Sequence, residues 1–352
     1  INSNYRFSYQ EAQEILDNKT NEISDKVSLT GKKYTIKEDV VEAILVMDEI
    51  AKKTRQSREK QGSINFNKKE VFFQLNEKKE PTAVLLKESK DANKLIEEFM
   101  LIANKKVAEL FTEIKKQKYI YRVHDLPDNE KLKSLKYIIK SFGYTLDLSS
   151  SKGISKSLNN LLNQIKGKEE QNLIESLVLR SMSKAEYSTN NIGHYGLAFV
   201  NYTHFTSPIR RYPDVLVHRL LQDILDKKYG KLDKSLQKKA THCSDQENIA
   251  VKAERESIKY MQIKYMQNKI GETFKGIISG VSDWGIYVEL EENKCEGMVY
   301  VRDIKDDKYY YNSEEAALIG KQNKKKYQLG DHINVEVKNA DLVKKHLDFI
   351  II

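Results

Sequence analysis

Two adjacent arginines, Arg210 and Arg211, lie in the stretch from Gly193 to Leu221, which reads GHYGLAFVNYTHFTSPIRRYPDVLVHRLL. They follow Ser207-Pro208-Ile209 and precede Tyr212-Pro213-Asp214. The same run carries His194, His204 and His218, three of the seven histidines in the chain. A guanidinium is planar, stays charged, and offers paired donors to two oxygens of one phosphate. Hydroxyls and imidazoles beside it add further hydrogen bonds, so the stretch has the parts of a phosphate-handling site. Read more plainly, it is a packed chain crossing with a solvated arginine pair; residue types alone leave both readings open.

A second set of suitable residues lies near the C-terminus. Phe274, Trp284, Tyr287 and Tyr300 fall on alternating apolar segments that read as neighbouring strands, and the spacing predicts that they share one face. Aromatic faces stack on unpaired bases, worth roughly 1–3 kcal/mol per base. Lys275 and the basic loop Gly320 to Lys326 would attract a phosphate backbone. The competing reading places Trp284 and some of the tyrosines in the core.

The elements that must position these groups are legible in part. Ser8 and Glu11 have capping-box spacing before a helix that reaches Leu16, and Thr35 and Glu38 repeat it before a helix ending near Arg58. That second helix ends on the basic run Lys52 to Arg58, which suits a helix C-terminus. Residues 71–75 and 82–86 read as a hairpin, and an apolar stripe predicts a long helix over Asp91–Lys116. Glu97 and Glu98 fall inside that stripe, where a carboxylate can anchor an arginine or face a site. An extended segment, Tyr119 to His124, precedes helices over 128–142, 154–166 and 169–183. Pro213 stands in the first turn of another helix, and the last long helix covers 234–267. Beyond Gly271 the pattern turns to short strands cornered by glycine, which predicts a small Greek-key barrel. The fold class expected is therefore α+β: a mixed α/β domain over residues 1–269, then an all-β OB-fold barrel over 270–352.

Composition bounds the partners. Lys and Arg number 60 against 51 Asp and Glu, a net charge of +9 in 352 residues, which suits an anionic partner or a merely soluble surface. Cys243 and Cys295 have no metal-ligand spacing and read as thiols of a reducing compartment. No apolar run nears the ~20 residues that span a bilayer, and no signal peptide opens the chain, so a cytoplasmic location is expected. The first residue is Ile1, and the chain is expected to begin inside a longer gene product.

The barrel segment, from Gly276 through Trp284-Gly285-x-Tyr287-Val288 to Gly297-Met298-Val299-Tyr300, resembles the S1-type OB-fold of ribosomal and RNA-degrading proteins. The arginine stretch resembles the signature of the RNB family of exoribonucleases, of the ribonuclease R and ribonuclease II type. Glu88 to Met100, Tyr121 to Asp128, Leu179 to Ser188 and Ala253-Glu254-Arg255 resemble further motifs of that family. The resemblance implies 3′-to-5′ hydrolysis of single-stranded RNA to nucleoside 5′-monophosphates, with Mg²⁺ as cofactor. It implies Arg210 on the scissile phosphate, Arg211 supporting it, and Glu254 near the 3′-terminal nucleotide. It also implies RNA contacts by Tyr119 or Tyr121, with His204, Ser207 and Tyr212 of the arginine stretch beside them. In the barrel the RNA-binding set is Phe274, Lys275, Trp284, Tyr287 and Tyr300. A monomer is expected.

One part of the family pattern is missing. The resemblance implies a cluster of aspartates that holds the metal, and no stretch of this sequence has one; Asp303, Asp306 and Asp307 fall on a barrel loop and do not match. No metal ligand is assigned within the chain. Three readings stay open: a portion of a longer or split ribonuclease whose metal-binding part is on the same gene product or a companion chain, a non-catalytic RNA-binding relative, and a general RNA-binding protein. On the first, this chain alone is expected to be inactive.

Overall fold

The computed structural model of the chain describes residues 3–66, 70–114, 118–168, 170–228, 233–312, 315 and 317–352. Helix α1 (Tyr9–Asn18) opens with a reciprocal capping box: Ser8 Oγ accepts from Glu11 N at 3.1 Å, and Ser8 N donates to the Glu11 carboxylate at 2.6 Å. Strands β1 (Glu22–Ile23) and β2 (Tyr34–Thr35) form a two-stranded ribbon. The second capping box, expected from Thr35 and Glu38, does not form. Thr35 is drawn into β2, and Lys37 takes the cap position of α2 (Glu38–Lys60) with no side-chain bond. The hairpin of β3 (Glu70–Leu75) and β4 (Pro81–Lys87) follows, then α3 (Asp91–Ile114), whose expected end at Lys116 lies outside the described residues.

Strand β5 (Tyr121–His124) runs directly into a helical excursion. This comprises α4 (Asn129–Ser141), α5 (Ser151–Ile165) and α6 (Gln171–Ser181); the expected start of the last at Glu169 lies outside the described residues. Asp128 caps α4 by accepting from Glu130 N and Lys131 N, and Gly143, at φ 80°, turns the chain out of it. The chain returns as β6 (Ala185–Ser188), antiparallel to β5, and the arginine stretch leads into α7 (Tyr212–Leu225). Helix α8 (Leu236–Met266) then crosses the domain.

The remaining chain forms β7 (Thr273–Ser282), β8 (Gly285–Leu290), β9 (Glu296–Tyr300), β10 (Tyr309–Asn312), β11 (Ala317–Gly320), β12 (Lys326–Gln328), β13 (His332–Asp341) and β14 (His346–Ile351). Five of these close a barrel in the order β13-β14-β9-β8-β7, with β14 parallel to β9; β10 to β12 make a separate three-stranded sheet. The architecture is a helical, mixed domain followed by an OB-type barrel. Ile263 and Met266, from the last turns of α8, pack into the barrel core with Ile278, Val288, Val299 and Phe349. One helix thus reaches from the arginine domain into the barrel.

Candidate nucleic-acid interface

The arginine stretch is held by main-chain and side-chain bonds from three elements. Arg122 N of β5 donates to Tyr202 O at 2.9 Å, and Thr203 Oγ1 donates to Ile120 O at 2.7 Å. From α3, the buried Asn104 uses its whole amide. Its Oδ1 accepts from Phe205 N and Thr206 N, and its Nδ2 donates to the Tyr202 hydroxyl at 3.1 Å. The chain then turns tightly, with Arg211 N donating to Ser207 O at 3.0 Å. Asp214, in the first turn of α7, is 0% exposed. Its Oδ1 accepts from Ser207 N and from Arg211 Nη2, both at 2.8 Å.

This arrangement separates the two arginines. Arg211 is half-buried and turned onto Asp214, so it braces the turn. Arg210 is exposed, and with Ser207 and Arg211 it lines a cavity of about 230 Å³. Tyr9 and Met100 give that cavity apolar walls, and Glu97 stands at it. The adjacent acids Glu97 and Glu98 of α3 therefore divide: Glu98 is buried and paired with Arg58, and Glu97 faces the arginine cavity.

A layer of aromatic and basic side chains lies under the loop. The Arg122 guanidinium binds Glu247 of α8 in bidentate fashion, at 2.6 and 3.1 Å, and lies 4.6 Å over the Tyr187 ring. The Tyr187 hydroxyl meets His204 Nδ1 at 2.8 Å, and burial pushes that hydroxyl's pKa up to about 12. Burial, then the charges of Arg211 and Arg122, push His204 down to about 2. Burial, then His124 and Arg122, push His194 down to about 3. Both imidazoles are neutral at pH 7, so the positive charge of the site resides on its arginines.

The structure places the other expected residues as follows. Tyr212 is exposed at the start of α7, and Ser207 lies half-buried at the turn. Tyr119 is 2% exposed and stacked on Phe111 with ring centroids 4.2 Å apart; Tyr121 is also buried. Both rings belong to the core beneath β5, which corrects the expectation that one of them faces RNA. Glu254 is exposed on α8, and no hydrogen bond or ion pair joins it to Arg210 or Arg211 among the described residues. It lies seven residues past Glu247, which puts both on one helix face roughly 10 Å apart.

In the barrel, Ile286, Val288 and Leu290 point inward, so Tyr287 points outward; Val299 points inward, and Met298 and Tyr300 outward. Tyr287 pairs across with Met298, and its ring lies over Gly280, where a Cβ would come within 3.1 Å of it. Arg302 covers the Tyr300 ring at 4.7 Å. Trp284 is not within β8 but at the tip of the β7–β8 hairpin, 77% exposed. Lys275 is exposed on β7. Phe274 alternates with it and packs against the barrel core, so it leaves the shared aromatic face on which it was expected.

Sequence reasoning missed Asn104, Arg122, Tyr187, Asp214 and Glu247. Asn104 had a signal, a polar residue inside the apolar stripe of α3, and Asp214 had its first-turn position. Arg122 and Glu247 are 125 residues apart, and only the fold joins them. Among the described residues, no group of three or more His, Cys, Asp or Glu is placed to hold a metal ion. The described residues do not fit Mg²⁺.

A cavity lined by two arginines, and an OB-type barrel with outward-facing tyrosines, are the kinds of surface that suit phosphates and unpaired strands. The chain belongs to the RNB family: residues 1–227 match the RNB domain, and residues 267–351 match the S1 RNA binding domain. It is 37% identical over its whole length to ribonuclease R of Aquifex aeolicus, covering 48% of that protein. It is 35% identical to ribonuclease R of Thermotoga maritima, covering 49% of it. The solved structure of Mycoplasma genitalium RNase R in complex with ribose-methylated single-stranded RNA superposes with a TM-score of 0.89 at 28% identity. That match covers 99% of this chain and 53% of the other. The chain thus spans about half the length of the curated relatives it matches.

Proposed function

We propose that this chain grips single-stranded RNA for 3′-to-5′ exoribonucleolytic degradation to nucleoside 5′-monophosphates. Arg210 contacts the scissile phosphate, and Arg211 braces it through Asp214. Glu254 lies near the 3′-terminal nucleotide. Tyr287, Tyr300, Trp284 and Lys275 hold the strand on the barrel. The observation that carries this reading is the division of labour at the turn: one arginine is bonded inward, and its neighbour is left exposed in a cavity. Donors fixed in advance where charge develops are a large contribution to phosphoryl chemistry. The relatives named ribonuclease R, and the one solved with RNA, support the same substrate class.

The carboxylates that would hold Mg²⁺ are proposed to come from polypeptide outside these 352 residues, on the same gene product or a companion chain. Without them the chain binds RNA and does not cut it. The absence of a metal-ligating cluster among the described residues also fits a relative that only binds RNA. The test is to incubate the purified chain with 3′-labelled single-stranded RNA and Mg²⁺, following binding by anisotropy and products by chromatography. The expected outcome is saturable binding with the RNA intact. Release of mononucleotides would show that the metal site is present after all, and failure to bind would remove the RNA reading altogether.

A further inference from the structure

A cavity larger than the one at Arg210 is also present among the described residues. It lies on the other side of the loop, with a volume of about 1070 Å³, between the end of α2, helix α5 and residues 191–200. Phe199 lines this cavity and Tyr202 lines the Arg210 cavity; their rings stand 5.5 Å apart, so one aromatic layer divides the two. We infer that the large cavity is a binding site for a nucleoside monophosphate, the class of molecule that exonucleolysis releases. The inference rests on the proposed function only for the source of that nucleotide.

Its lining has the three kinds of surface that such a ligand needs. Ile192 and Val200 are exposed apolar side chains on its wall, next to the rings of Tyr195 and Phe199, and a base gains by covering them. Lys60 and Lys156 are exposed, with no ion-pair partner among the described residues, and can take a phosphate. Two acids line the cavity as well, each accepting one neutral donor. Glu59 accepts from Asn65 Nδ2 at 2.9 Å, and Asp125 accepts from Leu126 N at 2.7 Å. Asn159 donates its amide nitrogen to Ser63 O, which leaves Oδ1 for the ligand, and Asn160 presents an exposed amide for a base edge. The two lining histidines do not compete for the phosphate. His124 uses both ring nitrogens, toward Ser183 O and Gly196 N, and burial keeps His194 neutral. The wall is also held at a conformational cost: Ala198, which lines the cavity, sits at φ 56° in the left-handed region.

Isothermal titration of the intact chain with AMP, with UMP and with a five-nucleotide RNA tests this. The expected result is a saturable isotherm for AMP or UMP with Kd below about 1 mM. The double variant Lys60→Ala, Lys156→Ala should weaken it about tenfold, and Val200→Asp should do the same by another route. Circular dichroism checks that each variant is folded. Arg210→Ala should weaken binding of long RNA and leave the AMP isotherm in place. Absence of mononucleotide binding up to about 10 mM would overturn the inference, as would an isotherm indifferent to both lysines. Loss of AMP binding in Arg210→Ala would move the nucleotide to the arginine cavity. Binding of the five-nucleotide RNA alone, sensitive to the lysines, would make the cavity a strand path and not a monomer site. Anisotropy with long RNA separates this from the proposed function: either can fail while the other stands.

Discussion

At the scale of single residues, Asp214 decides which arginine is free. Its buried carboxylate holds the Ser207 amide and the Arg211 guanidinium at once. Asp214→Ala leaves a half-buried cation and a main-chain donor unpaired, and should cost about 3–5 kcal/mol in urea unfolding. Asp214→Asn keeps an acceptor for Ser207 N and should cost less. Equal losses in the two variants would mean that the charge, and not the hydrogen bond, holds the turn. The neutral imidazoles make a second prediction. His204 and His194 titrate near 2 and 3 in the folded chain, against about 6.5 when unfolded. Between those values the unfolded chain binds protons that the folded chain refuses. Stability is therefore full above about pH 6.5 and falls as pH drops, by up to about 1.4 kcal/mol per pH unit for each group. Urea midpoints measured from pH 7 to pH 5 should fall, and His204→Phe should flatten the slope whatever it does to the level. A slope unchanged in the variant would remove His204 from the pH dependence.

At the scale of elements, α8 is the member that both halves share. Glu247 ties it to β5 through Arg122, Glu254 lies farther along the same face, and Ile263 and Met266 seat in the barrel core. Glu247→Ala should cost about 1.5–3 kcal/mol, the worth of hydrogen bonds to a charged group. It should also weaken RNA binding without Glu247 touching the strand. Hydrogen exchange should show faster exchange in the middle of α8; exchange unchanged there would mean that the helix is held by its ends alone. The helices were legible because caps and stripes are local: Ser8 with Glu11, Asp128, and the apolar face of α3 need no partner to be read. Strands β1, β2 and β6 were not, since two to four residues show no alternation and owe their existence to the strand opposite. The same reason explains Thr35, a fair cap by spacing that a neighbouring strand claims first. At the candidate site the pair Arg210 and Arg211 was visible at once. Which of them is free was not, because that depends on where Asp214 and Ser207 come to rest.

At the scale of the whole molecule, the chain presents two chemically different surfaces proposed to grip RNA, a cationic cavity in the helical domain and outward-facing aromatic rings on the barrel. They should have separable signatures on single-stranded RNA. Each phosphate neutralised by a cation contributes about 0.7 to the slope of log K against log salt for a single strand. Arg210→Ala removes one exposed cation, so it should lower affinity and reduce that slope by about one contact. Trp284→Ala removes a ring that is 77% exposed at a hairpin tip and carries no charge. It should lower affinity by about 1–3 kcal/mol and leave the slope where it was. If the strand runs from barrel to cavity, the two losses should add in the double variant for an RNA long enough to reach both. For a short RNA, which can occupy only one grip at a time, they should not add. Anisotropy titrations across a salt series with two RNA lengths read all of this. A salt slope that changes in Trp284→Ala, or losses that fail to add on the long RNA, would mean that the two surfaces do not hold one strand.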